Sequence, residues 1–385
     1  MMLAIHGGEI LVDDAFRSDV CVLVCDGAIK DIVSQSDAPS QADRYDLKGG
    51  YLTAGFIDLQ VNGGGGVMFN DAPTVQTIEK IAAAHRAFGT TGFLPTLISD
   101  DFDIIREAIC AVDEAIKIGA PGVLGIHLEG PFLNAEKRGV HDVKKLLPLD
   151  EASIDLISSL KNGVTLVTLA PEMTMPGQIR ALTERGVIVA AGHTNASYAQ
   201  INAAIAEGLS GFTHLFNAMS QLGSREPGAV GAALDSDSVW AGIIIDGFHV
   251  HDASLRLALK CMSPARVALV TDSMATVGSD IDSFSLGGAI VTSNNGKLTT
   301  PQGTLAGSTL NMMLAVKNCR ARLNVDLATA IQMATATPSR ALGLQNARGA
   351  IFTSMKADLV HFSSQFDVVE TWINGSASAS SNRDR

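Results

Sequence analysis

The 385-residue chain has no C-x-x-C pair, no surplus of basic residues and no apolar run of membrane-spanning length. Each absence removes a class of function. The five cysteines are scattered: Cys21 and Cys25 share one face of a short strand, and Cys110, Cys261 and Cys319 lie in helical contexts. They read as reduced core residues of a cytoplasmic protein. Lys and Arg number 28 against 40 Asp and Glu, for a formal charge of −12. Nucleic acids and membrane surfaces both require a basic face, so neither is expected as a partner, and an anionic substrate would need locally placed cations. The opening "MMLAIHGGEILVDDAF" lacks a basic flank, and no segment approaches the roughly 18 apolar residues of a span, so a soluble, non-exported chain is expected.

Two signatures are also missing. The glycine run at 63–66, in "TAGFIDLQVNGGGGVMF", has no G-K-[ST] ending and no G-x-G-x-x-G before a helix with an acid some twenty residues on. It reads as a flexible loop that lets backbone approach a site closely. "LAGSTL" lacks the G-x-S-x-G elbow, which makes Ser308 a helix N-cap rather than a nucleophile.

At 46% hydrophobic the chain can bury a large core. Residues 1–50 alternate at period two between glycine-rich turns, with Asp26-Gly27 as a hairpin turn. Residues 346–375 repeat the style in "GAIFTSMKADLVHFS" and "DVVETWING". Neither piece could cover its own apolar face, so together they are expected to form one small β domain, with 376–385 a disordered tail. Residues 51–345 instead alternate apolar strands with helical stretches. The strands are "GFIDLQV", "GFLPTLI", "GVLGIHLEG", "VTLVTLAPE", "VIVAAGHT", "GFTHLFNA", "WAGIIIDGF" and "RVALVTDS". Stretches such as "FDIIREAICAVDEAIKIG" carry apolar residues at three and four. Eight such units predict an α/β fold with a parallel (β/α)8 barrel. After the last strand, "SLGGAIVTSNNGKLTTPQGTLAG" predicts an inserted hairpin around Asn294, Asn295 and Gly296, followed by helices in "TLNMMLAVKNCRARL" and "LATAIQMATATPSRAL".

In such a barrel the C-terminal strand ends form the active face. The polar residues there are Gln60, Asn62, His127, Glu129, His193, His214, Asp246, His249 and Asp272. A lone histidine at a strand end is usually structural; several histidines and two acids on one rim point to a metal site. Spacing leaves the ligands open, since His127 with Glu129, or His249 with His251, could each supply two. Asp272 ends the last strand, where a desolvated carboxylate could shuttle a proton, although capping the next turn is its simpler role. Arg225, on a long loop, is the best nearby cation for an anionic ligand, although a loop arginine is usually just solvated.

The phrases "HLEGPFL", "AAGHTNAS", "THLFNAMS", "DGFHV", "VTDSMATVG" and "LAGSTLNM", in this order between about residues 50 and 345, resemble the N-acetylglucosamine-6-phosphate deacetylase family of the amidohydrolase superfamily. The resemblance implies an amidohydrolase-type barrel with a small β-sandwich built from both chain ends. It implies metal ligands Glu129, His193 and His214, with His127 a barrel-lining neighbour. Asp272 would act as general base and acid, and His141 would contact the acetyl carbonyl. Val140, Asn217, Ala218, Asp246 and His249, with Leu305, Ala306 and Gly307, would help hold sugar and phosphate. Arg225 would do so from across a homodimer interface. Many superfamily members carry H-x-H on strand one for a second metal; Gln60 and Asn62 stand there instead. One divalent ion per chain is therefore expected, zinc first, with iron, cobalt or manganese also compatible, and the two amides behind the ligands. The implied activity is hydrolysis of N-acetylglucosamine 6-phosphate to glucosamine 6-phosphate and acetate in amino-sugar catabolism. Rival readings are a same-fold deacetylase of N-acetylgalactosamine 6-phosphate or another N-acyl substrate, and a non-catalytic barrel scaffold.

Overall fold

The computed structural model describes residues 2–378. At its centre are eight parallel strands, β1 (Phe56–Val61), β2 (Thr90–Ile98), β3 (Gly125–Glu129), β4 (Val164–Leu169), β5 (Ile188–Ala191), β6 (Gly211–Phe212), β7 (Trp240–Ile243) and β8 (Val267–Leu269), paired in sequence order. Every residue of β1 and β2 is buried, as expected of strands covered on both faces. The ring closes just past β8, where Ser273 bridges to Val61 and the Asp272 amide donates to the Gln60 carbonyl at 3.0 Å. Deeper in the same seam, the buried Asp58 carboxylate accepts the Thr271 hydroxyl and the Thr271 amide.

Helices between the strands bury one stripe each, except Gly228–Asp235, in which residues 228–233 are all buried. In Phe102–Lys117 the inward residues are Ile105, Ala108, Ile109, Val112 and Ala115, the three-and-four spacing of an amphipathic helix. Tyr198–Ala206 opens on a reciprocal cap in which Ser197 and Gln200 each satisfy the other's backbone amide, so the turn after β5 is sharply defined.

A six-stranded sheet and a four-stranded sheet form the small β region from both chain ends. Alternation along the six-stranded sheet sends Leu52, Leu359 and Trp372 into a core shared with Ile5, Val22 and Ile29, and sends Val360 and Phe362 toward the barrel core. Two expected boundaries shift. Tyr51–Ala54 pairs antiparallel with Leu359–Phe362, so residues 51–54 belong to the small sheet and the barrel starts at Phe56. Ser376–Ala377 pairs with Trp372 and Ile373, which gives order to the start of the expected tail; residues 379–385 lie outside the described residues.

The turn expected at Asp26-Gly27 forms, joining Cys25 to Ala28, and the hairpin expected around Asn294, Asn295 and Gly296 turns on Asn295-Gly296, which joins Asn294 to Lys297, with positive φ at all four turn residues. The hairpin 289–299 gains a third strand, Ser283–Leu286, and has its own cluster of Leu286, Val291 and Leu298 against Met274 and Ala306. Two expectations fail. Cys110 and Cys261 are exposed, on outward helix faces, although all five thiols are free. Ser308 caps no helix: it is buried and donates to the Thr271 carbonyl, while Asn311 caps Met312–Leu323. Among the described residues no helix is long and apolar enough to cross a membrane.

Candidate active site

Glu129 ends β3, His193 and His214 stand two residues past β5 and β6, and Asp272 three past β8. His193, His214 and Asp272 have φ of 49°, 35° and 50°. Left-handed backbone at non-glycine residues costs on the order of 1–3 kcal/mol each and persists where surrounding bonds over-determine it. Here the Thr213 amide donates to Ala191, Leu215 to Gly242, and Ser308 to Asp272. The strained turns aim two imidazoles at one point and set the Asp272 carboxylate beside it.

That point is a cluster of lone pairs. The Nε2 atoms of His193 and His214 lie 3.1 and 3.0 Å from Glu129 Oε1 and 3.0 Å from each other. His193 Nδ1 is 2.8 Å from the Lys137 carbonyl, so Nδ1 carries the proton and Nε2 presents its lone pair. Two ring nitrogens and a carboxylate oxygen within 3.1 Å of one another form a donor set that a cation between them would satisfy. Two nitrogens and one carboxylate, with further positions open, fit a divalent zinc-like ion. Burial alone would raise the Glu129 pKa, but the adjoining His193 and His214 rings outweigh it and hold the carboxyl well below its usual range.

The other ligand possibilities fall away. His127 has both ring nitrogens occupied, Nε2 at 2.7 Å from the Thr168 hydroxyl and Nδ1 at 3.2 Å from the Thr96 hydroxyl. Burial pushes its pKa down to about 4, so it is a neutral barrel-lining group. His251 is exposed and accepts from the Ala253 amide at a helix start. His249 is tied to Asp246, Nδ1 to Oδ2 at 2.6 Å.

Opposite the lone pairs lie donors. Gln60 Nε2 is 3.1 Å from both Glu129 oxygens and 3.1 Å from Asp272 Oδ1, and Asn62 Nδ2 is 2.7 Å from Asp272 Oδ1. Ionised carboxylates only accept, which fixes the amide orientation with NH2 toward them. Asp272 is pushed up to about 7, first by burial and then by the Glu129 charge. His141 completes the wall. Its Nδ1 accepts from the Ser99 amide at 3.3 Å, with the Ser99 hydroxyl at 2.8 Å, which leaves the proton on Nε2. Burial lowers its pKa to about 3, so His141 is a neutral donor.

A cavity of about 530 Å³ joins these groups. Of the expected residues, Glu129, Val140, His141, His193, His214, Asn217, Ala218, His249, Asp272, Leu305 and Gly307 line it. Gln60, Asn62 and Asp246 contact lining residues from behind, and Ala306 is buried between two lining neighbours. Arg225 does not line the cavity of its own chain: it is exposed on its loop. The lining also includes Ile98, Met274 and two cations, Lys137 and Lys297, which sequence reasoning missed.

The amidohydrolase family model matches residues 51–377. The chain is 42% identical over 376 residues to the N-acetylgalactosamine-6-phosphate deacetylase of Shewanella sp. (strain ANA-3), covering 97% of this chain and 95% of that one. It is 35% identical to the N-acetylglucosamine-6-phosphate deacetylase of Haemophilus influenzae, covering 93% and 94%. The crystal structure of N-acetylglucosamine-6-phosphate deacetylase from Pasteurella multocida superposes with a TM-score of 0.95 at 36% identity, covering 98% of this chain and 100% of that one.

Proposed function

The chain belongs to the amidohydrolase family, and we propose that it removes the acetyl group of N-acetylglucosamine 6-phosphate, giving acetate and glucosamine 6-phosphate in amino-sugar catabolism. The observation that carries this reading is the convergence of Glu129, His193 and His214 beside Asp272 and His141 in one cavity. Relatives named as deacetylases of such sugar phosphates support it.

A divalent ion held by Glu129, His193 and His214 would supply Lewis acidity, lowering the pKa of water and polarising the acetyl carbonyl. Zinc suits this donor set first; iron, cobalt or manganese are compatible. Asp272 takes the proton of the attacking water, and the Nε2–H of His141 hydrogen-bonds the oxyanion as the carbonyl becomes tetrahedral. Asp272 then returns that proton to the sugar nitrogen, because an amine anion does not leave at neutral pH. Gln60 and Asn62 hold the Asp272 carboxylate in place, and Asp246 orients His249. Val140, Asn217, Ala218, His249 and the 305–307 segment form the walls around sugar and phosphate. One ion per chain is the reading, since amides stand where a second ion would need imidazoles.

The exposed Arg225 is assigned to the phosphate held by a second copy in a homodimer. Mixing Arg225→Ala chains with Asp272→Asn chains should then rebuild some working sites, and no recovery would place the arginine in cis or outside the site. Free thiols and a net charge of −12 are compatible with a cytoplasmic enzyme acting on a small phosphorylated sugar.

A second reading, the galacto epimer, is favoured by the Shewanella relative. The scaffold alternative leaves the complete set of converging groups unexplained. Acetate release from both epimers, with and without chelator, decides. Chelator-sensitive turnover faster on the gluco epimer supports the proposal; faster turnover of the galacto epimer favours the second reading, and no release from either sinks both.

A further inference from the structure

The cavity must accept a phosphorylated sugar in a chain of charge −12, and within one chain its lining holds two lysines. They occupy different ends. Lys137 stands beside His193, whose Nδ1–H donates to its carbonyl, so it borders the acetyl-binding end. Lys297 belongs to the inserted hairpin, directly after the Asn295-Gly296 turn. The turn leans on the opposite sector: a Cβ on Gly296 would sit 3.9 Å from the Phe248 ring, next to His249, and the Gly296 carbonyl accepts from the Thr309 hydroxyl at 3.0 Å.

The register that puts Lys297 there is fixed by packing. Leu298 is buried in the satellite cluster with Val291 and Ala306, and its carbonyl accepts from the Ala306 amide at 3.2 Å. Alternation along the strand then turns Lys297 away from that cluster, onto the cavity side. Among the described residues its ammonium has no hydrogen bond or ion pair, while Asp246, the acid behind His249, is already engaged by His249 and by the amides of residues 248 and 249. A cation on a braced hairpin, lacking a carboxylate of its own, is placed to meet an anion.

We infer that Lys297 is a specificity-determining residue that binds the substrate's phosphate in cis, so that the inserted hairpin selects phosphorylated over unphosphorylated amino sugars. The inference rests on the deacetylase reading above for the identity of the sugar. It does not rest on that reading for the anion site, which inorganic phosphate probes directly. The ammonium acts as a point charge across a partly solvated gap, so a surviving charge in Lys297→Arg should keep most of the effect.

The test uses the metal-loaded full chain and two variants, Lys297→Gln and Lys297→Arg. Equilibrium binding of inorganic phosphate should weaken about tenfold in Lys297→Gln and less than threefold in Lys297→Arg, the scale of one charge-assisted contact. In parallel, the ratio of kcat/KM for the 6-phosphate to that for the unphosphorylated N-acetyl sugar should fall by a similar factor, carried by KM. Phosphate affinity within twofold of wild type in Lys297→Gln overturns the inference, and so does an equal loss on both sugars. If the wild type binds phosphate through Lys297 yet releases no acetate, the anion site stands and the deacetylase reading fails.

Discussion

Glu129 and Asp272 face one another on a single rim, both buried and both touched by the Gln60 amide, yet their acidities move in opposite directions. Burial would raise the Glu129 pKa, but the adjoining His193 and His214 rings outweigh it and hold the carboxyl well below its usual range. Asp272 is pushed up to about 7, because burial and the neighbouring Glu129 charge outweigh His214, His249 and the amide of Asn62. The rim is thus divided. Strands β3, β5 and β6 carry the three groups that could hold a cation, whereas the β1 and β8 sector contributes N–H donors and a carboxylate outside that group. In the proposed mechanism that separation would let Glu129 stay ionised as a ligand while Asp272 exchanges a proton near neutrality.

The harshest way to break this contrast is to remove the proton carrier and leave the ligands. Asp272→Asn should keep fold and metal content and reduce kcat by ~10²- to 10⁴-fold, the range for a lost general acid and base. Near-normal kcat, with metal content unchanged, would take Asp272 out of the mechanism. The wild type should also gain kcat/KM with rising pH as Asp272 ionises. A cation at the Glu129 cluster favours that ionised form, so the apparent pKa of the loaded enzyme should lie below the value near 7 set by the protein alone. An acidic limb above that value would contradict the arrangement.

The rim positions were legible in the sequence, but which of them would hold a cation was not, since spacing left His127, His249 and His251 open. Glu129, His193 and His214 stood at the ends of apolar runs that could only be buried strands. Eight such runs at regular spacing have few closures other than a barrel. The hairpins at Asp26-Gly27 and Asn295-Gly296 were legible for the same local reason, since only certain residues accept positive φ twice in succession. What escaped depended on partners distant in sequence. Tyr51–Ala54 reads like the start of the barrel until Leu359–Phe362 claims it. Ser308 looks like a cap until the Thr271 carbonyl takes its hydroxyl. Lys297 is one more exposed lysine until the hairpin folds over the cavity.

A milder way to sharpen the contrast is to convert one sector toward the other. Gln60 and Asn62 sit two apart on β1 and point to the same face. Neutral amides that already donate to carboxylates are poor ligands for a zinc-like ion. The unmodified chain should therefore retain about one tightly bound divalent ion, with activity restored to the apoprotein at one equivalent. The Gln60→His plus Asn62→His variant should move toward two ions per chain by metal analysis. Two tightly held and required ions in the unmodified chain would defeat the division of the rim.

The smallest expected effect concerns a third carboxylate, two residues below Gln60. Asp58, like Asp272, is pushed up to about 7, mainly by burial, with partial relief from the Thr271 hydroxyl and the amides of Gln60 and Thr271. Unlike Asp272, it does not line the catalytic cavity, so its effect should appear in stability rather than turnover. Its folded pKa exceeds its unfolded value, so the native state holds the proton more tightly. Its contribution is then fully present below about pH 4 and is lost as pH rises through about 7. A shift of this size corresponds to at most ~4 kcal/mol between those limits, at 1.36 kcal/mol per unit. Asp58→Asn keeps one acceptor for the Thr271 amide and cannot ionise. In urea unfolding of the chelated protein, the variant should be less stable than the wild type near pH 4.5, and it should close or reverse that gap by pH 8. Parallel profiles for the two proteins across this range would show that Asp58 does not change its charge on folding, and that the seam it closes between β1 and β8 carries no proton-linked cost.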